Sequence, residues 1–257
     1  MKNIFHYYYL ILLIGASGIA STTVVHAGEL NLAVANSTCS AIKEVGRIFE
    51  KTNDITINYI CKSSGRLAKG LNGNAIKADI YVSANRKWMD YMIKNSLVQA
   101  DQVTSPWGNE LVVATRKDSN LKISDWNELA SAKVKSILIG DPGTAPFGRY
   151  AKQAMKSTGI WGDVRSKIKT KKHITLLAET LAGSDANTVG ILFASNVSEK
   201  HRVLYPVNTS WHPPIRYYMA PIKNTAHNEN VISLLRFIQG SEARDIFRSA
   251  KFKVDAQ

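Results

Sequence analysis

Two hydrophobic rhythms alternate along the chain. Short apolar or β-branched runs at 30–35, 55–60 and 78–83 have strand length. Each is followed by residues at helical spacing: Ile42, Val45 and Phe49 within 40–51, Leu67 and Leu71 in a helix beginning near Gly65, and a third helix over 86–94. Pro106-Trp107-Gly108 interrupts the pattern, and a second block follows. Its strands fall at 111–115, 136–140, 190–194 and 216–220, and a helix over 149–157 is entered through the turn 141–148. The tail, 231–248, reads as one amphipathic helix with Ile232, Leu235, Phe237 and Ile238 in the core. This alternation predicts an α/β protein with parallel sheets in two blocks. In open α/β sheets ligands lie beyond the carboxyl ends of the strands. That rule points to Ser37, to Ser63-Ser64-Gly65 and to the turn 141–148.

The amino terminus follows neither rhythm. Met1-Lys2-Asn3 is a short positive segment, residues 8–16 are apolar, and Val25-His26-Ala27 offers a cleavage position. Residues 1–27 are therefore expected to be a signal peptide cut after Ala27. The competing reading, an uncleaved anchor, needs roughly 20 apolar residues, and the run here is shorter. Export places Cys39 and Cys61 in an oxidising compartment, where a disulfide between them is expected rather than two free thiols. Two cysteines without clustered histidines do not make a metal site.

Charge changes the picture only slightly. The formal charge is +13, but Lys169, Lys171, Lys172 and His173 form the only dense basic cluster. No nucleic-acid-reading motif accompanies it, so the balance is read as a solvated surface that steers anions, not as a nucleic-acid interface.

Candidate chemistry sits in two loops. Asn36-Ser37-Thr38 and Ser63-Ser64-Gly65 each follow a strand and open a helix, so each offers a hydroxyl and free N–H groups at the positive end of a helix dipole. They are either plain N-caps or an anion cradle made of neutral dipoles. Ser40-Ala41-Ile42-Lys43 fits the serine–lysine enzyme pattern S-x-x-K, but Ser184-Asp185-Ala186-Asn187 is not S-D-N and K-T-G is missing. No catalytic activity is expected.

The stretches CKSSGRLAKG, ADIYVSANRKWMDYM, GNELVVATRK, GDPGTAPFGRYAKQAM and GSEARDIFRSAKF resemble the periplasmic molybdate-binding proteins of ABC transporters, over about 30–252. The resemblance implies a two-lobed type II periplasmic binding protein, two α/β domains joined by crossover strands with a ligand cleft between them. The expected lobes are 28–108 plus 221–257, and 109–220, with crossings near 108–111 and 218–221. It also implies an oxyanion ligand, molybdate or tungstate, with no cofactor, a monomeric periplasmic carrier, and an inner-membrane ABC permease as partner. The family's serines match Ser37 and Ser64, and its P-x-G backbone donor matches the amide of Phe147. A further backbone donor falls on Ile174, with one residue inserted before Gly190. The family's tyrosine hydroxyl position is occupied by Phe193, a departure that bears on which oxyanion is held. Iron carriers of this fold use neighbouring tyrosines, which makes Tyr217-Tyr218 the basis of a rival ferric-iron or other metal reading.

Overall fold

The computed structural model describes residues 28–225 and 228–254. The expected signal peptide, 1–27, lies outside the described residues. In chain order the elements are β1 (Gly28–Ala35), α1 (Cys39–Thr52), β2 (Ile55–Lys62), α2 (Ser64–Asn72), β3 (Ile80–Ser83) and α3 (Arg86–Lys94). Then come β4 (Gly108–Asn109), β5 (Leu111–Arg116), β6 (Ser136–Gly140), α4 (Pro146–Ser157), α5 (Trp161–Val164), β7 (Ile168–Lys171), α6 (Ile174–Ala182) and β8 (Thr188–Phe193). The last are β9 (His201–Pro206), β10 (Ile215–Arg216), β11 (Tyr218–Pro221), α7 (Glu229–Ile238) and α8 (Ser241–Ser249).

The strands form a first sheet ordered β11-β3-β1-β2, a second ordered β7-β6-β8-β5-β9, and a short β10-β4 ladder between them. β1 is buried on both faces, as a covered parallel strand must be. Leu30, Leu32 and Val34 pack with Ile42, Val45 and Phe49 of α1, while Ala33 joins Leu67, Ala68 and Met89 on the opposite side. Helix starts are fixed locally. The Asn85 side chain accepts from the Lys87 N–H to cap α3, and Asn228 does the same for α7. Among the described residues no helix is long and apolar enough to cross a membrane.

Several expectations need correction. The sheets are mixed rather than parallel: β11 runs antiparallel to β3, and β5 antiparallel to both β8 and β9. These are the strands next to the crossings, where the chain enters a sheet from the hinge rather than over a helical crossover. The single strand expected over 216–220 is two strands in different ladders, with Tyr217 between them donating its N–H to the Trp107 carbonyl at 3.0 Å. Tyr218–Pro221 therefore pairs in the first sheet, beside β3. The tail is two helices, because Gly240 adopts an extended backbone and begins α8 anew. β7 and β9 were not marked by the hydrophobic rhythm. Both are edge strands with many part-exposed positions, so alternation is weak in them.

Candidate functional site

Four helix starts converge on one small cavity: the 3-10 turn Asn36–Thr38 ahead of α1, and the first turns of α2, α4 and α6. Its empty space, the part open to solvent included, is about 220 Å³. Every residue placed there from the sequence lines it: Ser37, Ser64, Phe147, Ile174 and Phe193. No carboxylate, lysine or arginine does. The wall is therefore built from dipoles, each helix start contributing roughly +0.5 elementary charge and several N–H groups without an intrahelical acceptor.

Backbone geometry makes this convergence possible. Pro146 occupies the first turn of α4, and its cap, Ala145, has no side chain to take the first amide protons, so the Phe147 N–H remains available. Gly140 and Gly148 let the end of β6 touch the start of α4. A Cβ at Gly148 would lie 2.0 Å from the Gly140 carbonyl oxygen, which no side chain could accommodate. Across the cleft, the Gly65 N–H of α2 donates to the Thr144 carbonyl at 3.2 Å, joining the two sides directly.

The hydroxyls are held in defined roles. Ser64 is fully buried, and its Oγ accepts the Ala84 N–H at 3.0 Å, which leaves its proton to donate elsewhere. Ser37 Oγ accepts from the Tyr217 hydroxyl at 2.7 Å, and that hydroxyl in turn accepts from Asn109 Nδ2 at 3.3 Å. Burial pushes the Tyr217 phenol well above the ordinary tyrosine range, against the opposing effect of its bonds to Ser37 and Asn109, so it remains a proton donor. Cys39 and Cys61 form a disulfide with Cα atoms 6.1 Å apart, two residues from Ser37 and Ser63 respectively, and tie the two serine loops together.

Ser63 and His173 also line the cavity, although neither was assigned as a ligand contact from the sequence. Ser63 is 3% exposed, lines the cavity, and its Oγ has no hydrogen-bond partner. In the sequence it belonged to the Ser63-Ser64-Gly65 loop, either a plain cap or part of an anion cradle, and it makes no side-chain cap bond to α2. His173 caps α6 by accepting the Leu176 N–H on Nδ1 at 3.2 Å and also lines the cavity. In the sequence it looked like part of a basic surface cluster.

Phe193 supplies an apolar wall, with its ring centroid 6.1 Å from those of Phe147 and Tyr217 and 6.4 Å from that of Tyr150. The adjacent tyrosines diverge. Tyr217 points to Ser37, whereas Tyr218 lies under the Arg86 guanidinium, 5.6 Å from its ring centroid. Among the described residues no cluster of histidine, cysteine or carboxylate side chains could hold a metal ion. Ser40 and Lys43 are both exposed, and the Lys43 ammonium sits over the Tyr59 ring at 5.8 Å, outside this cavity.

The profile of the bacterial extracellular solute-binding protein family matches residues 30–253. The chain belongs to that family. It is similar to the molybdate-binding protein ModA of Escherichia coli, 24% identical over 244 residues, covering 92% of this chain and 93% of the relative. Among solved structures, the Azotobacter vinelandii periplasmic molybdate-binding protein superposes with a TM-score of 0.78 at 16% identity, over 88% of this chain and 100% of that one. The sulfate-binding protein SubI of Mycobacterium tuberculosis does so with a TM-score of 0.74 at 12% identity, over 88% and 87%. Identities this low speak for a shared two-lobed fold. This solute-binding family and the ModA relative are binding proteins rather than enzymes.

Proposed function

We propose that this protein captures a tetrahedral oxyanion dianion, molybdate or tungstate, in the cavity between its lobes. The observation that carries the reading is the convergence of four helix starts and the Ser37, Ser63 and Ser64 hydroxyls on about 220 Å³ with no charged side chain in the wall. A buried dianion must exchange its hydration for a comparable set of donors, and hydroxyls with helix-terminal amides supply it without a compensating cation. A protonated anion such as hydrogen phosphate needs acceptors, and the hydroxyls here already accept from Tyr217 and Ala84. The direct ligand contacts are assigned to the Ser37, Ser63 and Ser64 hydroxyls and the amides of Phe147 and Ile174, with Phe193 as an apolar wall. The carrier works in the periplasm as a monomer after loss of the signal peptide and delivers its anion to an ABC transporter permease. The divergence of Tyr217 and Tyr218 weighs against ferric iron.

Calorimetric titration of ligand-stripped protein with molybdate, tungstate, sulfate, phosphate and ferric citrate tests this. Molybdate and tungstate are expected to bind tightly, and phosphate and ferric citrate not at all. Heat from ferric citrate or phosphate, with none from molybdate or tungstate, would overturn the proposal.

A further inference from the structure

Beside the neutral cavity lies a second, larger one of opposite character. It holds about 880 Å³ of open space and is lined by Arg86 and Lys87 from the start of α3, Arg149 from α4 and Arg216 from the crossover, with no carboxylate in its wall. Arg86 pairs with Asp90 at 2.6 Å in a largely exposed bridge, which offsets its charge, whereas Lys87 and Arg149 line the cavity as cations from the two sides of the cleft. Lys87 titrates below the ordinary lysine range, first through burial and then through repulsion from Arg149 and Lys69, as expected where positive charges face one another. Arg149 also lines an adjoining groove with Lys152 and Lys156, which extends the basic surface along α4.

The two cavities share a wall. Ala84 lines the neutral one and Asn85 the basic one, while Tyr150 lines the basic one and lays its ring against Phe193. Asn85, at the start of α3, and Tyr150, on α4, both line the basic cavity at this shared wall. A neutral cage is selective but exerts little pull at a distance. A low-dielectric cleft lined by one sign of charge raises the local concentration of counter-ions and their association rate by roughly 10- to 1,000-fold.

We propose that Lys87 on one lobe and Arg149 on the other make a second, transient anion site, an encounter surface on the two sides of the cleft that draws in a dianion bound for the serine cage. The proposal rests on the oxyanion reading of that cage. A dianion held there by hydrated point charges is bound loosely and released forward, because geometry-demanding selection takes place only in the serine cage.

The test is stopped-flow fluorescence with molybdate as the probe, at about 0.01 M and about 1 M ionic strength, where the Debye lengths are roughly 30 Å and 3 Å. The variants are Lys87→Gln/Arg149→Gln and a remote pair with the same change of net charge, Lys51→Gln/Lys94→Gln, both at exposed helix ends. The cavity pair is expected to slow association about tenfold at low salt and to converge on the wild type at high salt, with dissociation altered less than twofold. The remote pair, which keeps both cavity charges, should slow association less than the cavity pair does. Equal slowing by both pairs, an unchanged rate in the cavity pair, or a change confined to dissociation would each overturn the encounter site while leaving the cage intact. A wild type that binds no molybdate at all would instead remove the reading of the cage, and this inference with it.

Discussion

Ser63 separates binding from stability in a way its neighbour cannot. Its Oγ is buried at the cavity and has no hydrogen-bond partner, and although it occupies the N-cap position of α2 it makes no side-chain cap bond. Ser63→Ala therefore removes no intramolecular hydrogen bond. It also relieves the desolvation cost of an unsatisfied buried hydroxyl, about 1–3 kcal/mol in the ligand-free protein. The variant is expected to be at least as stable as the wild type, with a melting temperature unchanged or raised by roughly 2–4 °C for each kcal/mol gained. If the hydroxyl donates to the bound dianion, the same change loses a hydrogen bond to a charged group, worth about 1.5–3 kcal/mol, or roughly 10- to 150-fold in Kd. Ser64→Ala is the contrast: it loses a comparable bond to the anion and also orphans the Ala84 N–H, so affinity and stability should fall together. Calorimetric titration with molybdate and differential scanning calorimetry of the ligand-free proteins measure the two quantities separately. A Ser63→Ala protein with wild-type affinity and lowered stability would refute the reasoning, because the hydroxyl would then serve the fold and not the ligand.

Other expectations follow from the same geometry. Phe193→Tyr places a hydroxyl at the cavity wall and should tighten molybdate binding by about 1–2 kcal/mol; weaker or unchanged binding in a parallel titration would mean the cage already has its full set of donors. Tyr217→Phe removes the group that fixes the Ser37 Oγ, and should cost about 1–3 kcal/mol of stability by leaving buried Ser37 and Asn109 short of a partner. Molybdate affinity should fall with it; chemical denaturation and titration of one preparation read both, and a change in stability alone would confine Tyr217 to the fold. Cys39→Ser/Cys61→Ser opens a loop spanning a sequence separation of 22 and should lower stability by about 3 kcal/mol in the chain-entropy model. Superimposable urea transitions for this variant and the parent would count against the bridge.

The strands of the first sheet and their helices were legible because β1 to α3 obey simple local rules. Strand-length apolar runs are followed by helical spacing, with Ser or Asn at the turns, and these patterns arise from nearest-neighbour sterics and burial. The placement of Ser37, Ser64, Phe147, Ile174 and Phe193 came from motif order, and the fold brings all five to one wall. What local pattern could not carry was anything set by an element's neighbours. Edge strands β7 and β9 expose much of their length, so their alternation fades. The break at Tyr217 exists because flanking residues pair with different ladders, which no periodicity within 216–220 encodes. Whether Ser63 is a cap or a free donor depended on which amides its hydroxyl could reach after packing. Likewise, Lys87 and Arg149 are scattered charges in the sequence, and only closure of two lobes puts them in one cavity beside a neutral cage. The sequence by itself determined the buried strands and helices of the first sheet and the kinds of donor each turn could offer, because those depend on residues a few positions apart. Only the tertiary structure decided which donors face the same space and which are already spent, because that depends on contacts between residues such as Ser37 and Tyr217, 180 positions apart.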